Sequence, residues 1–239
     1  EYLGQEGRKG CFNLYFGGQC LPVCMNFIGR YNTSNALAAI AAAYVQGIEP
    51  EKAIVSLEKV APISGRMQHI DLGQPFLAIV DYAHTPDGLL QVLSTLREAV
   101  KQGRIISVFG ARGERDSLKR PIMGQIAGKG ADYVILTTDC PYGENPLTIN
   151  ESVAKGIEEV GGNYRIVLDR AEAIFEACKM ARPGDAVIVT GRGHETIQHF
   201  EDGDHFLDDR ECLAQAINVL HGCQGSRDAI SESEKVNMT

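Results

Sequence analysis

From residue 67 onward, short runs rich in β-branched residues alternate with longer segments whose apolar residues recur at helical spacing. This alternation limits the possible folds most strongly, because it is typical of βαβ units in which a helix connects two parallel strands. Strands are predicted at residues 76–80, 104–109, 133–137, 165–168 and 186–190. Helices are predicted to start between them near Pro86, Pro121, Ile149 and Arg170. The chain is therefore expected to be an α/β protein with a mostly parallel, doubly wound, Rossmann-like sheet.

The end of this region predicts a hairpin and a last helix. Residues 197–200 and 205–207 flank a turn, and their hairpin is expected to form an antiparallel edge of the sheet. Capping boxes are predicted at residues 148–151 and 169–172, and Asp208 is expected to cap a helix over residues 212–220. The Ser- and Glu-rich tail, residues 223–239, is predicted to be disordered.

The first 65 residues have a different pattern. Two β-like runs, at 12–16 and 23–28, are separated by glycines and a proline, as in a hairpin or an edge pair. An alanine-rich helix is predicted over 33–46 with Asn32 as its N-cap, and a second helix runs from Pro50 through residue 60. Residues 62–65 are predicted as a linker. Two strands and two helices bury little apolar surface, so this segment is expected to belong to a larger domain.

Charge and hydropathy exclude several classes of partner. The chain has 239 residues with 23 basic and 31 acidic side chains, for a formal net charge of -8. This balance disfavours a surface for nucleic acid or for an anionic membrane. The sequence has neither an apolar run of about 18 residues nor the basic and apolar regions of a signal peptide, so a cytoplasmic location is expected.

The cysteines also favour a reducing compartment. Their number is odd and they are scattered over positions 11, 20, 24, 140, 178, 212 and 223, a pattern that predicts free thiols. Cys20 and Cys24 form the only close pair. A second Cys or His pair does not follow at the distance that a zinc site needs, so these two are interpreted as strand residues and no metal site is predicted.

Charged residues collect in four loops that each follow a predicted strand, at residues 81–87, 110–116, 139–144 and 191–195. Ligands of open α/β sheets bind at the carboxyl ends of the strands, where such loops meet. Arg115 would then lie near Asp139 and Glu195. A guanidinium pairs with a carboxylate while acids accept hydrogen bonds from an ammonium group, so this set predicts an amino-acid site. Ordinary surface ion pairs and an unrelated anionic ligand are the alternatives.

Common catalytic signatures are missing from the sequence. It has no Ser-His-Asp order, no HExxH run and no CxxC pair, which removes the usual hydrolase, zinc-protease and thioredoxin interpretations. It also lacks GxxxxGK[ST], so this chain by itself has no P-loop for nucleotide phosphates. His84 and His194 are expected to orient a neighbour or a ligand. No catalytic residue is assigned within the chain.

Nine motifs, in this order, resemble those of the Mur ligases: GRYNTSNALAAIAA, SGRMQ, VDYAHTPDGL, VFGARGERDSLKRPIMG, DCPYGENP, DRAEAI, MARPGD, GRGHE and FLDDRE. The resemblance covers residues 29–220 and is closest to the members that add a diamino acid as the third residue of the peptidoglycan precursor. Folylpolyglutamate-type and cyanophycin-type ligases of the same superfamily share the architecture but not DYAHTPD together with GRGHE.

The resemblance implies a protein with three domains, for a uridine nucleotide, for ATP and for the incoming amino acid. Residues 1–65 would be the C-terminal part of the central ATP-binding domain, and residues 66–222 the C-terminal amino-acid-binding domain. ATP with Mg²⁺ would phosphorylate the D-glutamyl carboxylate of UDP-N-acetylmuramoyl-L-alanyl-D-glutamate, and the diamino acid would attack the acyl phosphate. The main phosphate and Mg²⁺ sites would precede residue 1. A monomer is expected. The chain alone is expected to be an inactive fragment. The alternative function is that of a non-catalytic module that binds an amino acid or a nucleotide.

The same resemblance assigns two sets of residues by motif. The residues that would contact ATP are Asn32, Asn35, Arg66, Asp81 and His84. The residues that would bind the amino acid are Arg115, Asp139, Tyr142, Gly191 and Glu195. In this assignment Arg115 holds the amino-acid carboxylate, while Asp139, Gly191 and Glu195 hold the distal end.

Two departures from the family pattern concern the distal end of the substrate. Members that use meso-diaminopimelate carry DNPR, whose arginine pairs with the distal carboxylate, but this chain has Tyr142 at that position. A tyrosine cannot form this charged pair, so the sequence favours L-lysine or L-ornithine. The second departure is Arg112, which replaces a small residue in its turn. Arg112 and Arg192 are the candidates to supply the missing guanidinium.

Overall fold

The computed structural model describes residues 1–6, 9–27, 29–61 and 63–222. The tail at 223–239, Ile28 of the second predicted strand and Pro62 of the predicted linker lie outside the described residues. The elements, in chain order, are β1 (Tyr2–Glu6), β2 (Lys9–Phe16), β3 (Gln19–Met25), α1 (Arg30–Val45), α2 (Pro50–Glu58), β4 (Gln68–His69), β5 (Leu77–Asp81), α3 (Pro86–Val100), β6 (Ile105–Phe109), α4 (Lys119–Gly130), β7 (Tyr133–Leu136), α5 (Pro146–Glu159), β8 (Tyr164–Ile166), α6 (Arg170–Met180), β9 (Ala186–Thr190), β10 (Ile197–Phe200), β11 (Gly203–Phe206) and α7 (Asp209–His221).

The main sheet has the strand order β4-β5-β9-β6-β7-β8. Strands β5, β9, β6, β7 and β8 are parallel, and β4 pairs with β5 in antiparallel orientation. The predicted mostly parallel α/β sheet is therefore confirmed. The five predicted parallel strands correspond to β5, β6, β7, β8 and β9, each displaced by no more than two residues.

Helices cover both faces of this sheet. On β9, Ala186 and Ile188 pack with α3, α4 and α5, whereas the alternate residues Val187 and Val189 pack with α6 and α7. Strand residues that are buried on both faces account for the continuous apolar runs that indicate a parallel sheet. The helices with these two apolar cores make the sheet doubly wound.

The strand order creates a switch point around β9. The chain proceeds from β5 past the place of β9 to β6, β7 and β8, and then returns to insert β9 between β5 and β6. The connections from β5 through β6 and β7 to β8 place α3, α4 and α5 on one face of the sheet. The connection from β8 back to β9 places α6 on the other face. The loops after β5, β9 and β6 therefore become neighbours, which is where open α/β sheets bind ligands.

The late hairpin has the predicted strands but a different position. β10 and β11 form a separate two-stranded antiparallel sheet, and the antiparallel edge of the main sheet is β4. The buried Gln198 side chain explains the difference, because its Nε2 donates to the carbonyls of Thr138 at 3.1 Å and Asp139 at 2.7 Å. The hairpin is thereby held over the carboxyl end of β7 and does not extend the sheet.

Two predicted helix caps are wrong. Asn32 lies within the first turn of α1, whose N-cap is Gly29, and no side chain caps it. Thr148 lies inside α5, because Asn145 accepts hydrogen bonds from the amides of Leu147 and Thr148 and Pro146 occupies the first turn. The caps at Asp169 and Asp208 are confirmed, since their side chains accept from the amides of Glu172 and Arg210.

The N-terminal segment forms its own small core. A three-stranded antiparallel sheet, β1-β2-β3, packs its apolar side chains with those of α1 and α2. Sequence reasoning did not predict β1. It also predicted free thiols, which is wrong for Cys11 and Cys24: they are opposite each other in β2 and β3 and are joined by a disulfide. Cysteines 20, 140, 178 and 212 are free, and Cys223 lies outside the described residues.

Among the described residues, no helix is long and apolar enough to cross a membrane.

Candidate functional site

The loops after β5, β6, β7 and β9 bring charged side chains together at the carboxyl edge of the sheet. Arg112 follows β6, Asp139 follows β7 and Glu195 follows β9. Arg112 Nη2 donates a hydrogen bond to Glu195 Oε2, and Arg112 Nε lies 3.6 Å from Asp139 Oδ1. Tyr82, which follows β5, donates its hydroxyl to Glu195 Oε1 at 3.0 Å. One connected cluster therefore contains a side chain from each of the four loops.

Burial, hydrogen bonds and neighbouring charges together set the protonation states in this cluster. Burial raises the pKa of Glu195, but hydrogen bonds from Arg112 and Tyr82 and the charges of Arg112 and Arg192 outweigh it and hold the pKa below its usual value. Glu195 is therefore ionised at neutral pH. Burial, followed by the hydrogen bond to Glu195, raises the pKa of Tyr82. The phenol thus stays a hydrogen-bond donor.

Two glycines permit the close approach of the loops. A Cβ on Gly191, which has φ 111°, would lie 2.8 Å from Asp139 Oδ2. A Cβ on Gly65, which has φ 67°, would lie 2.2 Å from the backbone nitrogen of His194. A side chain at Gly191 would collide with the Asp139 carboxylate, and one at Gly65 would collide with the backbone of the β9 loop. Both conformations favour glycine. Gly191 thus allows the β9 loop to lie close to the Asp139 carboxylate, and its contact with an amino acid stays a prediction.

The other two residues predicted to bind the amino acid lie apart from this cluster. Arg115 is exposed on the β6 loop. Tyr142 stacks on His199 of the β10–β11 hairpin with ring centroids 5.6 Å apart, and it lines a cavity of about 510 Å³ with Phe200 and Asp202. Tyr142 also has φ 52°, which is unusual for a residue with a side chain. The structure therefore brings together Asp139, Gly191 and Glu195, with Arg115 at the solvent-facing end of a neighbouring loop.

An ion pair between the buried Arg120 and the partly exposed Glu144 holds the Arg115 loop in place. Arg120 donates from Nη1 and Nη2 to both oxygens of Glu144, at 2.9 Å and 3.0 Å, and also to the Arg112 carbonyl at 3.1 Å. Glu144 in turn accepts a hydrogen bond from the amide of Glu114. Hydrogen bonds from Arg120 and Glu114, together with the Arg120 charge, lower the pKa of Glu144. This clamp ties the β6 loop to the β7 loop.

Two arginines lie beneath the site, and neither reaches its surface. Arg170 forms a two-pronged ion pair with Asp209, at 2.7 Å and 2.8 Å, and donates to the carbonyls of Thr138 and Thr190. It thereby joins the ends of β7 and β9. Arg192 is completely buried and donates to the carbonyls of Glu195 and Leu207, at 3.4 Å and 3.0 Å. Of the two arginines considered as replacements for the missing guanidinium, only Arg112 reaches the open part of the site.

The residues predicted to contact ATP lie on the β5 side of the same edge. The Arg66 guanidinium lies 4.8 Å from the centroid of the Tyr82 ring, and Asn35 donates to Asn32 Oδ1 at 3.4 Å. Burial raises the pKa of Tyr31, Asp81 raises it further, and Asn32 and Arg66 act in the opposite direction. The first turn of α1 is therefore close to both Arg66 and Asp81.

Asp81 and His84 have local partners in this region. Asp81 accepts from the amides of Met67 and Ala83, each at 2.7 Å, and its burial raises its pKa despite these bonds. His84 Nδ1 lies 2.9 Å from the Tyr82 carbonyl, while the His84 carbonyl accepts from Lys119 Nζ at 2.9 Å. Asp81 thus braces the loop that carries Arg66, and its contact with ATP stays a prediction.

Sequence reasoning missed several residues that shape the site. These are Tyr82, Lys119, Arg120, Glu144, Arg170 and Asp209. All lie inside the quoted motifs, but their side-chain partners are 24 to 113 residues away in sequence. Their membership of these motifs was the only available signal. No group of three or more metal-binding side chains occurs in the part of the chain that the structure describes.

Comparison with known proteins identifies the family. The family model described as "Mur ligase, glutamate ligase domain" matches residues 65–193, which is more than half of the chain. The chain belongs to the Mur ligase family. The match covers the loops that carry Arg112, Asp139 and Tyr82, and it confirms the resemblance that the motifs indicate.

Curated relatives of this Mur ligase chain are longer proteins. It is 43% identical over 207 residues to the UDP-N-acetylmuramoyl-L-alanyl-D-glutamate–2,6-diaminopimelate ligase of Syntrophomonas wolfei, a match that covers 86% of this chain and 42% of the relative. It is 40% identical over 222 residues to ligase 1 of the same name from Clostridium acetobutylicum, covering 92% of this chain and 45% of the relative. The chain thus spans less than half the length of these relatives.

Solved structures agree with the fold. A structure of a UDP-N-acetylmuramoyl-L-alanyl-D-glutamate–2,6-diaminopimelate ligase superposes with a TM-score of 0.65 at 38% identity, covering 89% of this Mur ligase chain and 43% of that chain. A UDP-N-acetylmuramate–alanine ligase from Thermotoga maritima has the same TM-score at 18% identity, over 91% of this chain and 44% of that chain. The second likeness supports the fold alone.

Proposed function

We propose that this chain is the amino-acid-binding end of an ATP-dependent ligase of peptidoglycan synthesis. The ligase attaches a diamino acid, as the third residue, to UDP-N-acetylmuramoyl-L-alanyl-D-glutamate. One observation carries the proposal: contacts run without a gap from Arg66 through Tyr82, Glu195 and Arg112 to Asp139. They connect the residues predicted to contact ATP with those predicted to bind the amino acid. A reaction that joins an activated carboxylate to an amine needs these two sites side by side.

In the proposed reaction, ATP with Mg²⁺ phosphorylates the D-glutamyl carboxylate, and the amine of the diamino acid attacks the acyl phosphate. Arg115, exposed on the β6 loop, holds the carboxylate next to this amine. Arg66, Asn32, Asn35, Asp81 and His84 contact the nucleotide. The residues of this chain act by positioning the two reactants and by compensating charge, so none of them is assigned as an acid or a base.

The domain assignment is part of the same proposal. Residues 1–65 end a central ATP-binding domain, whose P-loop and Mg²⁺ ligands precede residue 1, and residues 66–222 form the amino-acid domain. The separate core of β1–β3 with α1 and α2 supports a boundary near residue 65. We place the protein in the cytoplasm as a monomer. The relatives named above, as diaminopimelate ligases, support the third-residue position of the diamino acid.

The identity of the diamino acid depends on its distal end. The sequence favours L-lysine because of Tyr142, and this preference assumes that Asp139 and Glu195 are free to bind an ammonium group. In the structure both carboxylates already face Arg112. The site therefore combines acids with a guanidinium at the distal position, and this weakens the argument for a simple ammonium.

The function is tested with the full-length protein that the gene encodes. It is incubated with ATP, Mg²⁺, UDP-N-acetylmuramoyl-L-alanyl-D-glutamate and a diamino acid, and ADP release and product mass are measured. We expect ADP only when all components are present, with a product heavier by one diamino acid residue. Residues 1–239 alone are expected to release none. ADP release that depends on L-glutamate in place of a diamino acid would refute the proposal.

A further inference from the structure

The Arg112 side chain is held in place, but only one of its nitrogens donates a hydrogen bond within the described residues. Its Nη2 donates to Glu195, while Nε is buried and has no hydrogen-bond partner among the described residues. Nη1 takes part in none of the hydrogen bonds found in the described parts of the chain, and 19% of the side chain is exposed. A guanidinium that is fixed at one edge and open at the other can bind an anion without first losing conformational freedom.

The Asp139 carboxylate, opposite Arg112, also has an oxygen that accepts no hydrogen bond within the described residues. Asp139 is 1% exposed at its side chain, and its Oδ1 lies 3.6 Å from Arg112 Nε. Within the described residues this oxygen accepts no hydrogen bond. A buried carboxylate oxygen without a donor costs free energy, and the neighbouring Arg112 charge offsets part of that cost. The cluster thus combines an exposed donor edge on Arg112 with a buried acid that already faces Arg112 Nε.

The four innermost charged groups of the cluster sum to zero. Arg112 and the buried Arg192 are positive, and Asp139 and Glu195 are negative; Arg192 lies close enough to act on the charge of Glu195. Lys119 acts on Asp139 from the His84 side of the edge and adds a further positive charge. A lone ammonium group would therefore enter a region with no excess of negative charge. An end group that carries both an ammonium and a carboxylate matches it better.

The other arginines of these loops cannot take this role. Arg192 is completely buried, and two backbone carbonyls accept its hydrogen bonds. Arg120 is committed to Glu144. Arg115 is exposed and lies beyond Gly113 on the same loop, where it suits the other carboxylate of the substrate. Arg112 is thus the guanidinium between Asp139 and Glu195.

We infer that Arg112 binds the distal carboxylate of the incoming amino acid and thereby selects a diamino dicarboxylic acid over a diamino monocarboxylic acid. This inference rests on the proposed ligase function and specifies its substrate. Asp139 and Glu195 accept hydrogen bonds from the distal ammonium group, while Tyr142 contributes to the separate cavity at the hairpin. The preference for L-lysine that the sequence indicates is thereby replaced by a preference for a substrate such as meso-diaminopimelate.

A cycle of protein and substrate changes tests Arg112 directly, because L-lysine is meso-diaminopimelate without its distal carboxylate. For the full-length protein we measure kcat/KM with each amino acid and take the ratio of the two values. The wild type is expected to favour meso-diaminopimelate. In Arg112→Ala the ratio falls by about 10- to 100-fold, as for loss of a hydrogen bond to a charged group. The effect lies mainly in the KM for meso-diaminopimelate.

Two matched variants serve as controls. Arg115→Ala lowers kcat/KM for both amino acids alike and leaves the ratio unchanged, because both substrates carry the carboxylate that it binds. Arg182→Ala removes an exposed arginine near the opposite edge of the sheet, beside Asp185, and leaves both values unchanged. Thermal unfolding verifies that each variant is folded, and Arg112→Gln, which keeps most of the side-chain volume, replaces Arg112→Ala if the latter is not.

The outcomes separate the inference from the function on which it rests. If Arg112→Ala and Arg112→Gln lower kcat/KM equally for the two amino acids, or if the wild type favours L-lysine, the inference is overturned while the ligase function stands. If the wild type forms product with neither amino acid, the proposed function itself fails.

Discussion

Replacing Arg170 with methionine removes the buried cation that joins the ends of β7 and β9. The variant leaves Asp209 as a fully buried carboxylate without its partner. Breaking a buried ion pair on one side costs about 3–5 kcal/mol. Thr190 also loses the donor to its carbonyl, whereas the Thr138 carbonyl keeps its hydrogen bond from Gln198 at 3.1 Å. We expect the free energy of unfolding to fall by about 3–5 kcal/mol.

The double variant Arg170→Met/Asp209→Leu provides the matched control. Both charges are then absent, and the remaining loss is the unpaired Thr190 carbonyl, at about 1–3 kcal/mol. Urea unfolding of the 239-residue chain, followed by far-ultraviolet circular dichroism, measures both free energies. The reasoning is refuted if Arg170→Met costs less than about 1 kcal/mol, or if the double variant is as unstable as the single one.

Two further predictions concern other charged groups. Glu144→Gln weakens the ion pair with Arg120 and thereby loosens the Arg115 loop. The KM for the amino acid should therefore rise about tenfold, with little change in the KM for ATP. Equal changes in the two KM values would contradict a positioning role for Glu144. Burial raises the pKa of Asp185, but hydrogen bonds from Arg104 and Arg182 outweigh it and hold the pKa below its ordinary value. The ionised Asp185 therefore stabilises the fold above about pH 4, and this stabilisation is lost as the pH falls through the lowered pKa. In Asp185→Asn the free energy of unfolding should depend less on pH below about pH 4. The same pH dependence of the free energy of unfolding in Asp185→Asn and in the wild type would contradict a lowered pKa for Asp185.

Local rules predicted much of the fold. The strands near 76–80 and 186–190 are buried on both faces, so their apolar runs were visible in the sequence. Helix starts at Pro86 and Arg170 were visible because Pro occupies the first turn of one and Asp169 caps the other. The predicted caps at Asn32 and Thr148 were wrong, because Gly29 and Asn145 were equally suitable by local sequence. Tertiary contacts determine which residue begins each helix.

The insertion of β9 between β5 and β6 could not be predicted from local pattern. Periodicity identifies strands but contains no information about their order in the sheet. This order makes Glu195 a neighbour of both Tyr82 and Arg112, and it is the reason why the two predicted ligand sets share one edge. The position of the hairpin depends in the same way on long-range contacts, namely the hydrogen bonds of Gln198 and the pairing of Tyr142 with β10.

The residue types of the candidate site were visible in the sequence, but their arrangement in space was not. The sequence indicated Arg115, Asp139 and Glu195 as a zwitterion site, and the structure places the two acids together with Arg112. The role of Arg112 was open in the sequence, because a guanidinium in a glycine-rich turn can point to solvent or into the site. Its partners, 27 and 83 residues away along the chain, decide between these.

The most direct test is a crystal structure of the full-length protein with meso-diaminopimelate bound. We predict that the ligand lies over the carboxyl ends of β5, β9, β6 and β7, with one carboxylate on Arg115 and the distal carboxylate on Arg112. Its distal ammonium group should contact Asp139 and Glu195. A ligand bound at another surface, or one whose distal carboxylate points away from Arg112 into solvent, would contradict the account.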